Sequence, residues 1–323
     1  DFALYNKCSK AFKRICASYA PVMESCCIVE VFLDMTGTGQ IYPNPAETAC
    51  EIKDRIYREL GFTVNVGIST NKLLAKMASD FEKPNKVHTL YPEEVPQKMW
   101  PLPVRDLLFL GKASEKKLIQ NGIRTIGDLA RANEKEIQIL LGERTGHQLY
   151  LSANGIDDSP VKAQREDAKG ISVETTFDED IVSYEQIFPI LLSQCDIVAA
   201  RMRREGKKCN CVAVSFRTLE FKNKSHQRKL DNPTDVTNEI YQNVRKLFQE
   251  SWEGQPLRLI GVALTGLTED SFEQMSLFED PKKREQQKKL DEAMDNIRKK
   301  FGNDKISRAS TMKMSGRKTI RDV

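Results

Sequence analysis

Glu30 and Asp34 stand in the run Cys27-Ile28-Val29-Glu30-Val31-Phe32-Leu33-Asp34, two acids in otherwise apolar company. Carboxylates are the hard oxygen ligands that Mg²⁺ prefers. Val29, next to Glu30, offers no oxygen. An acid inside an apolar strand needs a partner, so Glu30 is not expected to be idle. A second group is basic. Residues 201–230 hold ten Lys/Arg against two acids, and the ten include Arg217, Lys222, Lys224 and Arg228. Such a patch attracts a nucleic-acid backbone through counterion release. A third is Gln274-Met275-Ser276-Leu277-Phe278, a short polar segment with an apolar tip and acids on both sides, the form of a docking peptide. The eight cysteines include no Cys-x-x-Cys, and there are three histidines. A zinc site is therefore not expected, and the cysteines, with Cys209 and Cys211 on one face of an apolar strand, read as buried cytosolic thiols.

The elements that carry these groups follow from periodicity. Residues 5–20 read as a helix with Leu4, Cys8, Phe12 and Ile15-Cys16 on one stripe. The apolar run 26–35 reads as a buried strand. Asn44 caps a helix that begins at Pro45, with Glu47 at the capping-box position and Gly61 at its end. Residues 62–68 alternate as a strand. Pro101 and Pro103 mark a boundary, and 101–160 is helical with eight basic and eight acidic residues. Residues 161–169 are polar and aperiodic, a linker. A β-α-β-β-α-β pattern follows, with strands near 170–178, 209–217, 225–230 and 257–266, and helices near 184–205 and 234–250. Lys282 to Phe301 is a charged helix with the apolar stripe Leu290, Met294, Ile297 and Phe301. The chain has 323 residues and a net charge of +4, enough for two or three domains, and no apolar run approaches membrane-spanning length.

Four ordered motifs resemble those of the Y-family (lesion-bypass) DNA polymerases. Cys27–Asp34 is similar to the bacterial strand S-I-D-E-x-F-L-D. Gly67-Ile68-Ser69, Asn71-Lys72-Leu73-Leu74-Ala75-Lys76-Met77-Ala78-Ser79 and Lys83-Pro84-Asn85 are similar to the palm signature. Gly122-Ile123-Arg124-Thr125-Ile126-Gly127-Asp128-Leu129 looks like the thumb, and Gln274–Phe278 looks like a bacterial sliding-clamp-binding peptide.

The resemblance implies an α+β multidomain fold. It has a partial palm over 1–100, a helix-hairpin-helix thumb over 101–160 and a linker over 161–169. A ferredoxin-like β-α-β-β-α-β little finger covers 170–268, with the clamp peptide and a C-terminal helix and tail over 269–323. It implies cytoplasmic translesion synthesis, the addition of deoxynucleotides across damaged DNA, with two Mg²⁺ ions held by three carboxylates. Glu30 matches one of them and Val29 stands where the bridging Asp is expected. The opening Asp1-Phe2-Ala3-Leu4-Tyr5, without an initiator Met, reads as a fragment that lacks the strand with the first carboxylate.

Lys83 matches the lysine that reaches the incoming deoxynucleoside triphosphate. Asp34 is expected to cap or turn the chain, and Lys76 to be structural or near DNA. Gly111 and Lys112 match a hairpin that holds a DNA phosphate on backbone N–H groups. Arg217, Lys222, Lys224 and Arg228 fall in the little finger. The expected partners are primed or damaged DNA, deoxynucleoside triphosphates and the sliding clamp. With Val29 in place the chain is expected not to polymerise, and the alternative is a non-catalytic accessory protein that binds damaged DNA and the clamp. A generic ferredoxin-like RNA-binding module would need exposed aromatics on its sheet, and 209–217 offers only Phe216.

Overall fold

The computed structural model describes residues 1–163, 167–269, 281–303 and 305–314. The clamp-peptide residues Gln274–Phe278 lie outside that set. The chain divides into two units, Asp1–Glu166 and Asp167–Val323.

The first unit opens with α1 (Phe2–Ala17), β1 (Val22–Ser25), β2 (Val31–Asp34), α2 (Pro45–Leu60), β3 (Val66–Ile68), α3 (Lys72–Asp80), β4 (Val87–Thr89) and α4 (Val95–Lys98). Strands β1 and β2 form an antiparallel hairpin, and β3 and β4 a parallel pair. Helix α2 starts as its sequence dictates. The Asn44 side chain accepts from the N–H groups of Ala46 and Glu47, Pro45 is the first helical residue, and Gly61 closes the helix at φ +77°. Asn44 Nδ2 also donates to Glu47 Oε1 at 2.7 Å, so the box closes side chain to side chain. Phe12, Ile15 and Cys16 of α1 pack with Ile52 and Ile56 of α2. Leu4 is exposed, because the stripe turns outward in the first turn.

Helices α5 (Lys112–Gln120), α6 (Ile126–Arg131), α7 (Glu134–Leu141) and α8 (Glu143–Ala153) complete the unit. One core joins them to α3, through Leu73, Leu74 and Met77 against Leu118, Ile126, Leu129 and Leu149. Packing is continuous across Pro101. Gly146 makes the α7–α8 contact possible, since a Cβ there would lie 2.5 Å from the Gln138 Cα.

The second unit follows the expected β-α-β-β-α-β order. It contains β5 (Gly170–Ile181), α9 (Tyr184–Arg204), β6 (Lys208–Thr218), β7 (Asn223–Thr234), α10 (Thr237–Ser251) and β8 (Leu257–Thr268). The sheet order is β5-β8-β6-β7, every neighbour antiparallel. Helices α9 and α10 cover one face, with Val198, Val212, Phe216, Val244, Phe248 and Ile260 in the core between. Strand β7 runs on through Pro233, which an edge strand tolerates, so α10 starts at Thr237 rather than near 234.

Helix α11 (Pro281–Phe301) docks differently from its sequence stripe. Met294 is buried, but Leu290, Ile297 and Phe301 are among the exposed hydrophobics. The docked side is ionic: Asp291 and Asp295 meet Arg203, and Arg298 meets Asp196. Among the described residues no helix is long and apolar enough to cross a membrane.

Candidate catalytic hairpin and nucleic-acid interface

The expected strand over 26–35 is interrupted. Ser25 pairs with Val31, so residues 26–30 become the loop of the β1–β2 hairpin. The N–H groups of Cys26 and Cys27 both turn back to the Glu30 carbonyl, at 3.1 and 3.4 Å. Helix α1 pins the loop from below: the Ser9 hydroxyl donates to the Ile28 carbonyl and Lys13 Nζ to the Cys27 carbonyl at 2.8 Å. Val29 sits at the tip, 67% exposed. Apolar composition hid the turn, because backbone bonds rather than turn residues close it.

Glu30 is not buried. Its carboxylate lies 2.9 Å from Lys76 Nζ on α3. Lys76 also reaches Asp80 at 3.0 Å, and Asp80 meets Lys83 at 2.7 Å. An alternating line of charge thus ties the hairpin acid to the Lys83 turn. Burial alone would raise the Asp80 carboxyl, but bonds from Lys83 and Lys76 outweigh it and hold the group below the usual range. Burial likewise works against the Lys76 ammonium, and its bonds to Glu30 and Asp80 still hold its pKa above the ordinary value. The Thr36 side chain, and then the Thr36 N–H at 2.9 Å, hold the Asp34 carboxyl below its ordinary range in a local turn. Glu24, two residues before the loop, pairs with Lys72 at 2.9 Å and accepts from the Lys162 N–H at 2.8 Å.

These groups do not fit a two-Mg²⁺ site. Two ions about 3.5–4 Å apart need shared carboxylates. Among the described residues no three His, Cys, Asp or Glu side chains come together to hold a metal. Val29 has no oxygen, and an ammonium occupies the Glu30 carboxylate.

In the helical segment Gly111 is the N-cap of α5, and no side chain caps the helix there. Lys112 is its first residue. Helices α7 and α8 repeat the arrangement at Leu141-Gly142-Glu143, with Gly142 at φ +94° and again no side-chain cap. That second hairpin was readable from the repeated Leu-Gly before a helix. Phe109, just before the first hairpin, sits at φ +67° and is 86% exposed. A bulky residue is strained in the left-handed region. Phe109→Gly is expected to stabilise the first unit by about 0.5–1 kcal/mol, the strain relief partly offset by a looser unfolded chain. The urea midpoint followed by Trp100 fluorescence checks it.

The basic window does not form one surface. Strand register sends alternate residues of β7 to opposite faces. Lys224 pairs with Phe216 and Arg228 with Val212, both on the helix-covered side. There Lys224 meets Glu253 at 3.0 Å, and Arg228 meets Glu250. Arg217 and Lys229 lie on the open face, Arg217 bonded to Asn223 Oδ1 at 2.7 Å. Lys222 is in the β6–β7 turn, paired with Glu220 at 2.6 Å. Arg203 is buried in the α11 contact. The open face also carries small and polar residues, among them Ser172, Ala213, Ser215, Gly261 and Ala263, with Leu259 paired beside Arg217. Glu174 lies over Gly261 and accepts from the Ser215 hydroxyl at 3.2 Å.

Comparison with known proteins agrees with this architecture. Residues 1–80 match the impB/mucB/samB family, 168–277 its C-terminal domain, and 105–157 the DNA polymerase-iota thumb domain. DNA polymerase IV of Clostridium acetobutylicum is 42% identical over 95% of this chain and 77% of its own. The chain belongs to the Y-family of DNA polymerases. DNA polymerase IV of Pelotomaculum thermopropionicum is 36% identical, as is DNA polymerase IV 2 of Bacillus subtilis, each over 97% of this chain and 77% of the relative. A solved Y-family DNA polymerase chimera shares the fold at TM-score 0.74, with 22% identity over 84% of this chain and 78% of that one. The Y-family is one of DNA-directed DNA polymerases, and the α+β fold with a helical thumb and a four-stranded little-finger sheet is that of the family.

Proposed function

We propose that this Y-family chain serves in translesion synthesis as a DNA-binding scaffold that does not itself add nucleotides. Template-directed addition across damaged bases, in the cytoplasm and with two Mg²⁺ ions, is the activity of the complete site. Here Val29, which has no oxygen, stands beside Glu30 where the resemblance expects the bridging Asp. The observation that carries the reading is the Glu30–Lys76 ion pair at 2.9 Å next to an exposed valine. The helix-hairpin residues Gly111 and Lys112 are proposed to hold a DNA phosphate, and the open little-finger face with Arg217 to lie against the duplex. Lys222, Lys224 and Arg228 add long-range attraction, weakened by their acid partners. Lys83 remains the proposed contact for a triphosphate, and Gln274, Met275, Ser276, Leu277 and Phe278 for a sliding clamp. Val29 favours the accessory reading over the enzyme.

Primer extension with Mg²⁺, run beside duplex-binding titrations at two salt concentrations, tests the proposal. Salt-sensitive binding without extension is the expected result; extension above a mock purification overturns it. Val29→Asp would set two carboxylates side by side at the hairpin tip. It is expected to bind Mn²⁺ roughly tenfold more tightly than the parent chain, since affinity follows ligand charge, as read by the free-ion electron paramagnetic resonance signal.

A further inference from the structure

The β6–β7 hairpin presents a second strained phenylalanine. Thr218 N–H donates to the Lys222 carbonyl and Phe221 N–H to the Thr218 carbonyl, both at 3.0 Å, closing a tight turn. Phe221 sits there at φ +61° and is 63% exposed. Glycine occupies that backbone region freely, whereas a bulky side chain does so against steric resistance. Burial does not compensate, because the ring is in solvent, and Leu219 beside it is exposed as well.

What surrounds the ring is cationic. The Arg258 guanidinium carbon lies 5.1 Å from the ring centroid. Lys222 follows directly in the chain, and Arg217 lies at the end of β6, on the rim of a cavity of about 210 Å³ that Ser215, Asn223 and Ser225 also line. Arg258, Arg217 and Lys222 thus stand near two acids, Glu220, which Lys222 engages, and Glu174 on the wall of the same cavity, which accepts from the Ser215 hydroxyl. An exposed aromatic ring with an arginine against it and more positive charge alongside offers both stacking and phosphate attraction. Bases inside a duplex have no free π-face, so the matching ligand is an unpaired one.

We propose that the β6–β7 tip is a stacking site for an unpaired nucleobase of single-stranded DNA. Phe221 is the platform, and Arg258, Arg217 and Lys222 supply charge for the adjoining phosphates. The proposal rests on the reading above that this unit engages DNA.

Fluorescence anisotropy of the whole chain with a labelled oligothymidylate, and with a labelled duplex, tests it. Phe221→Gly is expected to weaken single-strand binding about tenfold while duplex binding stays within about twofold and Tm does not fall. Phe221→Tyr is expected to retain single-strand affinity. Unchanged single-strand affinity in Phe221→Gly overturns the site, and so does an equal loss on both DNAs or a lowered Tm, which would make the ring a packing residue. If the parent chain binds duplex but Phe221→Gly has no effect on the single strand, only this site fails. If the parent binds neither DNA, the scaffold reading fails with it.

Discussion

Gly67→Ala is expected to destabilise the first unit by about 3 kcal/mol or more, at the upper end of what overpacking costs. A Cβ at this position would lie 1.9 Å from the Ala75 carbonyl oxygen and 2.6 Å from the Ser79 nitrogen. Both are backbone atoms of α3, so no side chain can turn aside. Strand β3 must back away from α3, and with it the core that Leu73, Leu74 and Met77 share with the helical segment. The two tryptophans separate the units: Trp100 bonds to the Ala153 carbonyl in the first, and Trp252 to the Gln255 carbonyl in the second. In a Trp252→Phe background, urea unfolding followed by Trp100 should show the early transition. Gly39→Ala, whose Cβ meets nothing within 4 Å, is expected to change stability by less than about 0.5 kcal/mol.

Asp291→Ala is expected to cost the second unit about 3–5 kcal/mol, the range for removing one partner from a buried charge cluster. Asp291 is 3% exposed at its side chain. Its carboxylate accepts from the Thr237 N–H at 2.8 Å and from Arg308 at 2.5 Å, with Arg203 at 3.5 Å. Removal leaves two guanidinium groups short of countercharge in a site that water barely enters. It also leaves the first N–H of α10 bare, because the N-cap residue Val236 has no oxygen to offer. Asp291→Asn keeps an acceptor and loses the charge, so a smaller loss is expected. Trp252 fluorescence in a Trp100→Phe background reads both. The loss should be nearly independent of salt, since a buried pair is poorly screened.

Much of this was legible in the residues. Asn44-Pro45 and Gly61 are local signals with local causes, and α2 begins and ends where they place it. The β-α-β-β-α-β order followed from alternation and helical period, and the motifs placed the chain in its family. What escaped the sequence is non-local. Residues 26–30 look like strand because their side chains are apolar, yet the pairing of Ser25 with Val31 makes them a loop. Ten cations in 30 residues look like one patch, but register separates Arg217 from Lys224 and Arg228, and α10 and the turn after it supply Glu250 and Glu253, acids that composition cannot assign. The stripe Leu290, Ile297 and Phe301 has correct helical spacing and still faces outward, because Arg203 and Arg308 attract the carboxylate-bearing side of α11 about a third of a turn away, with Met294 buried between. The partner of Glu30, Lys76, also comes from elsewhere in the chain and could not be paired from spacing alone, whereas Asp80 and Lys83 are three residues apart.

The bond from the Thr237 N–H to Asp291 spans 54 residues. During synthesis, α10 therefore leaves the ribosome before the residue that caps it has been made. At elongation rates on the order of 5–20 residues per second, Asp291 follows Thr237 by roughly 3–10 s, and until then the helix N-terminus is uncapped and Arg203 lacks its α11 carboxylates. Strand β8 is itself made within that interval, so the sheet is complete in sequence before the ionic seam that closes it. A chain released after β8 and before α11 would therefore carry the complete sheet without its ionic seam, and a protease is expected to open it sooner than the full chain.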